Sequence, residues 1–315
     1  MARLQLIGVD FDSCAHDGGV ADAATELRRL GLIDRLALRH DVVDWGELIT
    51  SAPVAERGEG PGLMNEAALL LLLRRLRDAV GYGLGEDATP VVYGADCAVL
   101  PGALAGARGA LGEVGLVFVD GHEDALGLEA SPDGRADRSA LALALGLAGE
   151  RLPAPLGELP QLVCAGRLAL LGPRDRQELA ALGQPSLRDR LGEGLRIVSD
   201  GELRAAGCAA AGREAALVAA GGGEDLRAGR PGARAGRWWL HVDLDVLSAA
   251  AFPAQDFYSP GGLSWGELLE VVTAALGVRG CCGVSLVGYD PELDGERVVA
   301  RLIVDLTERL AALLP

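Results

Sequence analysis

Lysine is missing from the entire 315-residue sequence, so all 29 basic side chains are arginines. That absence removes Schiff-base lysines, a P-loop lysine and lysine general bases from consideration. Long apolar runs are missing too: the longest, "AALLLLL" ahead of Arg74 and Arg75, is much too short to cross a bilayer. Positive charge is scarce, 29 basic residues against 45 acidic ones, and the net charge of −16 repels phosphate backbones and anionic membrane surfaces. Neither nucleic acid nor membrane is an expected partner. The six cysteines, at positions 14, 97, 164, 208, 281 and 282, form no CxxC pair and no regular framework, and the N-terminus has no signal-peptide pattern. A reducing, cytoplasmic location is the expectation.

What is present in quantity is apolar. Hydrophobic residues make up 50% of the chain and charged ones 23%, enough for a well-buried globular core. Short apolar runs ending in polar or glycine residues recur as "LQLIGV", "LALRHDVV", "PVVYG", "GLVFVD", "LALLG", "LRIVSD", "WWLHVD" and "GVSLVG". Each reads as a strand. Between them lie helical patterns such as "EAALLLLLRRLRDAV", "DRSALALALGLAG", "WGELLEVVTAALG" and "VVARLIVDLTERLAALL". The alternation predicts one α/β domain over residues 1–315, three layers in α/β/α order around a mainly parallel sheet of about eight strands. The segment "VAAGGGEDLRAGRPGARAGR" reads as a surface loop or poorly ordered stretch.

In open α/β sheets the functional crevice lies at the carboxyl ends of the strands. Acidic residues repeat there, in "GADC" (94–97), "DGHED" (120–124), "GPRD" (172–175), "DLD" (243–245) and "GYDP" (288–291). Any one such aspartate is ordinarily a cap or turn former. Together they suggest more. If strand geometry persists, Asp120, His122 and Asp124 project to one side, and Asp243 and Asp245 repeat the spacing with two carboxylates. Converging in a low-dielectric crevice these groups repel unless one or two Mn²⁺-class ions neutralise them; the plain alternative is two solvated strand ends that never meet.

On these segments the sequence resembles the ureohydrolase superfamily, the arginase, agmatinase and formiminoglutamase group. "DGHED" is similar to the family's DAHxD motif, and "HVDLDVLSAAAFPAQDFYSPGGLS" to its SxDxDxxDP…PGGL segment. "YGADCAVLPG" stands where the family has GGDHS, "LLGPRD" resembles IGxRD, and "GGVADAATELRRLGL" resembles the family's N-terminal pattern. The likeness covers nearly the whole chain and implies an arginase-like fold. By that resemblance Asp120 and Asp243 bridge two metal ions, His122 and Asp245 complete one site, and Asp124 with position 97 completes the other. The implied chemistry is a water activated between the metals that attacks an sp² carbon bearing nitrogen, with Asp124 carrying a proton to the leaving amine. A small-molecule substrate and a homo-oligomer, trimer or hexamer, are implied as well.

The sequence also departs from the family pattern. Cys97 replaces the family's histidine ligand; a thiolate there favours Zn²⁺ or Fe²⁺ over Mn²⁺, and the other reading of Cys97 is a small buried hydrophobe. Asp137 stands nearest the family's proton-transfer histidine, as a proton relay or a solvated loop carboxylate. Gly288 replaces the glutamate of the ExNP motif, which removes the carboxylate that grips a guanidinium. Asp290 and Asp256 are candidates for a relocated clamp or for turns and caps. His16 is a candidate substrate contact or a surface residue, and His241 either supports the ligands from behind or is a satisfied core histidine. Cys281 and Cys282 read as core residues. The expected activity is therefore hydrolysis of a linear C–N bond in a guanidino, N-hydroxyguanidino or related amidine compound, distinct from ordinary arginase. The alternatives are a binding or regulatory protein that has lost catalysis, and a deacetylase-like amidohydrolase, disfavoured because its tandem histidine pair is absent.

Overall fold

Every one of the eight apolar runs contributes a strand. The computed structural model describes residues 2–16, 18–49, 51–58, 62–149, 161–192, 194–222, 235–255 and 259–315. The strands are β1 (Arg3–Asp10), β2 (Asp41–Ile49), β3 (Thr89–Tyr93), β4 (Val114–Val119), β5 (Leu168–Gly172), β6 (Arg196–Ser199), β7 (Arg237–Asp243) and β8 (Cys281–Val287). They form one sheet in the order β2-β1-β3-β8-β7-β4-β5-β6, and each neighbouring pair is parallel. Parallel strands leave all their carboxyl ends on one edge, and that edge carries the acidic segments.

Helices cover both faces, so strands are buried on both sides and read as continuous apolar runs. Helices Cys208–Ala219, Trp265–Leu276 and Val298–Ala311 pack over one face, and Glu66–Gly85, Leu100–Leu111 and Ala140–Leu145 over the other. Strand β7 shows how the two cores divide: Trp238, Leu240 and Val242 enter one, and Trp239 enters the other. The two-residue repeat of a strand sends His241 to the Trp239 side. There it is fully buried and stacked on Phe118, at 4.8 Å between ring centroids and 7° between planes.

Three local expectations need correction. The run "LALRHDVV" is not one strand: its first residues close the helix Leu32–Ala37, and β2 begins at Asp41. Leu32 and Leu36, four residues apart, bury on one helical face, and that 3.6-residue period outweighs the β-rich tail. The helix in "DRSALALALGLAG" is only Ala140–Leu145, because Gly146 turns the chain left-handed at φ 71°. Most of "VAAGGGEDLRAGRPGARAGR" lies outside the described residues, while its first residues complete the helix Cys208–Ala219. Among the described residues no helix is long and apolar enough to cross a membrane.

Candidate metal centre at the carboxyl edge of the sheet

Four adjacent strands, β3, β8, β7 and β4, end in the loops that build one cleft. After β3 the chain turns at Asp96, whose Oδ1 accepts from Ala98 N at 3.0 Å and whose Oδ2 accepts from Ser13 N at 2.7 Å. This cap starts the turn Cys97–Val99 and points Cys97 inward, 1% exposed. Strand geometry, on which the one-sided projection of the acidic residues is expected to rest, in fact stops at Val119 and at Asp243. Turns bring the side chains together instead. Asp243 caps the turn Leu244–Val246 by accepting from Asp245 N at 2.8 Å. Asp124 sits at φ 44°, a left-handed conformation that costs a non-glycine residue about 1 kcal/mol or more. Its carbonyl accepts from Leu141 N and Ala142 N, at 2.9 and 3.2 Å, which holds the strained residue against the start of the next helix.

Cys97, Asp120, His122, Asp124, Asp243 and Asp245 all gather there. Two groups of ligand atoms, each lying within 4.8 Å of one another, share Asp120: Cys97 with Asp120 and Asp243, and Asp120 with His122 and Asp124. Cys97 Sγ lies 2.9 Å from Asp243 Oδ2 and 3.4 Å from Asp120 Oδ2. His122 Nδ1 lies 2.7 Å from Asp245 Oδ2 and 3.6 Å from Asp120 Oδ1.

The electrostatics of the cluster are conflicted. Burial, then the charges of Asp245 and Asp243, hold the Asp120 carboxyl well above the usual carboxylate range. Asp124 is raised by burial and by Asp120, and Asp243 is pushed up to about 7 by burial and by Asp245. The Cys97 thiol is raised by burial and by Asp243, Asp120 and Asp124. Only one pair is reconciled. Burial opposes a charged His122, yet Asp245 and Asp120 together raise it; burial opposes an ionised Asp245, yet His122, the Gly121 N–H and Arg174 hold it below the usual range. A divalent cation inverts this conflict, because each of these groups is then a ligand rather than a repelling neighbour. The donor set of carboxylate oxygens, one imidazole and one thiol fits one or two divalent ions of the Mn²⁺ to Zn²⁺ class.

The model of the Arginase family matches residues 2–312. The chain belongs to the arginase family. The arginase of Brevibacillus brevis is 24% identical over 306 residues, 96% of this chain and 96% of that one. In fold, the native structure of the arginase from Bacillus caldovelox is similar with a TM-score of 0.80 at 23% identity, over 99% of this chain and 98% of the other. Formimidoylglutamase from Bacillus subtilis is similar with a TM-score of 0.71 at 17% identity, over 99% and 87%. The fold is thus that of the wider ureohydrolase superfamily.

Measured against the arginase-family pattern, the departures have physical consequences. Gly288 sits at φ 87°, and a Cβ built there would lie 2.3 Å from Asp243 Oδ1. No side chain fits, so a glutamate cannot occupy this position without moving the backbone or the carboxylate beneath it. Asp137 lines the cleft with both oxygens on Arg135, Nε reaching Oδ1 at 3.2 Å and Nη2 reaching Oδ2. Asp290 caps the turn Pro291–Leu293 through Glu292 N at 2.8 Å and is not among the described side chains lining the cleft. Asp256 lies outside the described residues. His16 is exposed and 3.1 Å from Asp12 Oδ2, at the rim.

Sequence reasoning gave no role to the brace behind the ligands. Arg174, just after β5, donates to the carbonyls of Asp245 at 2.6 Å and Ser259 at 3.2 Å, while its own N–H bonds Gly121 O at 2.9 Å. Asp175 Oδ2 accepts from Glu123 N at 3.0 Å. These two residues tie the loops after β4 and β7 into one frame. Their signal was the "PRD" at a strand end, legible as a motif but not as a brace. Asp96, raised to about 8 by burial and then by Asp137 and Asp12, is a further buried acid that sequence reasoning left unassigned.

Proposed function

We propose that this chain is a metal-dependent hydrolase of a linear C–N bond in a guanidino, N-hydroxyguanidino or related amidine compound, with a preferred substrate other than arginine. The observation that carries the reading is the pair of ligand groups joined at the buried Asp120. Divalent ions bound there supply Lewis acidity that makes water nucleophilic at neutral pH. The residues do the rest. Asp120 and Asp243 would hold both ions, His122 with Asp245 would complete one side, and Cys97 with Asp124 the other. Asp124, part-buried beside Asp120, would take a proton from the attacking water and pass it to the leaving amine. Asp137 is fixed by Arg135, and a carboxylate has about four acceptor positions, so it retains capacity to receive N–H donors of the substrate and to relay a proton.

Gly288 supports the shift away from arginine, because a guanidinium entering this cleft meets backbone where the family pattern places a carboxylate. The same loss favours the second reading, a binding or regulatory protein on this fold. Metal analysis of protein reconstituted with Mn²⁺, Zn²⁺ or Fe²⁺, beside Asp243→Ala, separates the two when combined with a substrate screen for urea and amine release. About two ions per chain with turnover of an amidine supports the hydrolase. Absence of tight metal in the parent overturns it.

A further inference from the structure

His241 sits behind the metal ligands, and its hydrogen bonds define which ring nitrogen carries a proton. Its Nδ1 lies 2.6 Å from Ser285 Oγ, and its Nε2 lies 3.2 Å from Cys97 Sγ. Stacking on Phe118 fixes the plane of the ring, so both contacts are held at once. Among the described residues Ser285 Oγ has one more partner, Trp239 Nε1 at 3.0 Å. An indole N–H only donates, so it occupies an acceptor position of the hydroxyl. Ser285 is fully buried, and the acceptor facing its own O–H is His241 Nδ1. A proton on Nδ1 would leave that hydroxyl hydrogen without an acceptor, which buried polar groups avoid. The proton therefore resides on Nε2, and Nε2–H points at Cys97 Sγ.

An N–H directed at a sulfur from outside a ligand group is how proteins orient and stabilise a coordinating side chain. We propose that His241, locked by Ser285 and Trp239, is a positioning residue that presents Cys97 as a sulfur ligand and makes the Cys97–Asp120–Asp243 group selective for a thiophilic divalent ion such as Zn²⁺, Fe²⁺ or Co²⁺. The opposite side, where His122 and Asp245 join the shared carboxylates, offers oxygen and imidazole donors alone and takes a harder ion such as Mn²⁺. The inference rests on the metal-dependent reading above. It adds that the imidazole missing at position 97 is replaced by a pair, a thiol on the turn after β3 and an imidazole on β7, brought together by the fold.

Cobalt tests it without recourse to activity. Metal-free full-length protein is loaded with Co²⁺, bound metal is counted by mass spectrometry, and the near-ultraviolet sulfur-to-cobalt charge-transfer absorption is recorded. The parent is expected to show the band, and Cys97→Ser to lose it while still binding Co²⁺. Ser285→Ala and His241→Phe are expected to weaken Zn²⁺ binding by about ten- to a hundredfold and to shift the band, with Mn²⁺ binding little changed. His241→Gln, whose amide N–H still donates, should recover part of the loss. Ser285→Ala keeps the test decisive if His241→Phe fails to fold. Cobalt bound by the parent without a sulfur band, or Zn²⁺ affinity unmoved in both Ser285→Ala and His241→Phe, overturns the inference and leaves the metal-dependent reading standing. A parent that binds no Co²⁺, indistinguishable from Asp243→Ala, overturns both.

Discussion

The floor of the cleft and its rim are both rich in charge, but they handle it in opposite ways. On the rim charges stand against their opposites, Arg135 with Asp137 and Arg138 with Glu178, and His16 lies against Asp12. On the floor Asp120, Asp124 and Asp243 converge with the Cys97 thiol, and a single imidazole, His122, stands against Asp245 and Asp120 together. A rim of this kind is electrostatically complete without a ligand. The floor is complete only when positive charge arrives, which is why function is assigned to it.

The largest effect should follow from removing the one residue both ligand groups share. Asp120→Asn keeps the shape and relieves a buried carboxylate, so the metal-free protein should fold and be at least as stable as the parent. Bound metal, by contrast, should fall from its parent value to near zero, with hydrolysis lost alongside. Mass spectrometry beside a thermal melt reads both. Retention of full metal content would mean that the floor does not depend on the shared carboxylate, and the contrast with the rim would collapse.

A smaller effect is expected from crowding the floor by one methyl. Gly288→Ala places a Cβ against Asp243 Oδ1 at a left-handed backbone position, and strain of this kind costs about 1–3 kcal/mol. Urea denaturation of metal-free protein should show that loss, together with weaker metal binding because Asp243 must move. An unaltered midpoint would show that the loop after β8 yields, which would reopen position 288 to the clamp the family pattern places there.

Proton linkage reads the buried acids of the cleft, the floor together with Asp96, without mutation. The Asp243 carboxyl is raised from 3.8 to about 7, and Asp120 and Asp124 are raised too, so between about pH 4 and about pH 7 the folded protein binds more protons than the unfolded chain. Stability of the metal-free protein from these groups is therefore greatest near the lower end of that window and is lost as pH rises through it. Excess divalent ion should reverse the slope, since it binds the ionised floor. Melting temperatures across the window, with metal and with chelator, give both slopes; a metal-free protein that gains stability toward pH 7 would contradict the floor's assignment.

The floor was far more legible in the sequence than the rim, and the reason is topological. All strands of a parallel sheet end on one edge, so acids after β3, β4 and β7 had to meet there whatever their exact turns. That is why Asp120, His122, Asp124, Asp243, Asp245 and Cys97 are legible as one group in the sequence, although the alternation expected to align them ends too early and turns do the work. The rim depends on loop paths that have no period. Asp290 and Asp137 were equally plausible as acids near a motif, yet one caps a turn and the other is bound to Arg135. The Arg174 brace and the partners of His241, Ser285 and Cys97, were hidden for another reason: each contact joins residues from different strands and has no signature within either segment.

The smallest effect is expected at the rim itself. His16 is 66% exposed and sits 3.1 Å from the buried Asp12, and a side chain this open to solvent contributes little. His16→Ala should change stability by less than about 0.5 kcal/mol and leave metal content untouched. If His16 meets substrate, KM should rise while kcat holds, because such a contact adds binding common to ground and transition states. One outcome would be more instructive. Asp12, Cys14 and His16 have ligand atoms within 4.8 Å of one another, so a loss of bound metal in His16→Ala would place an ion at the rim as well. The rim would then share the floor's dependence on added cations, and self-neutralisation would no longer separate the two regions.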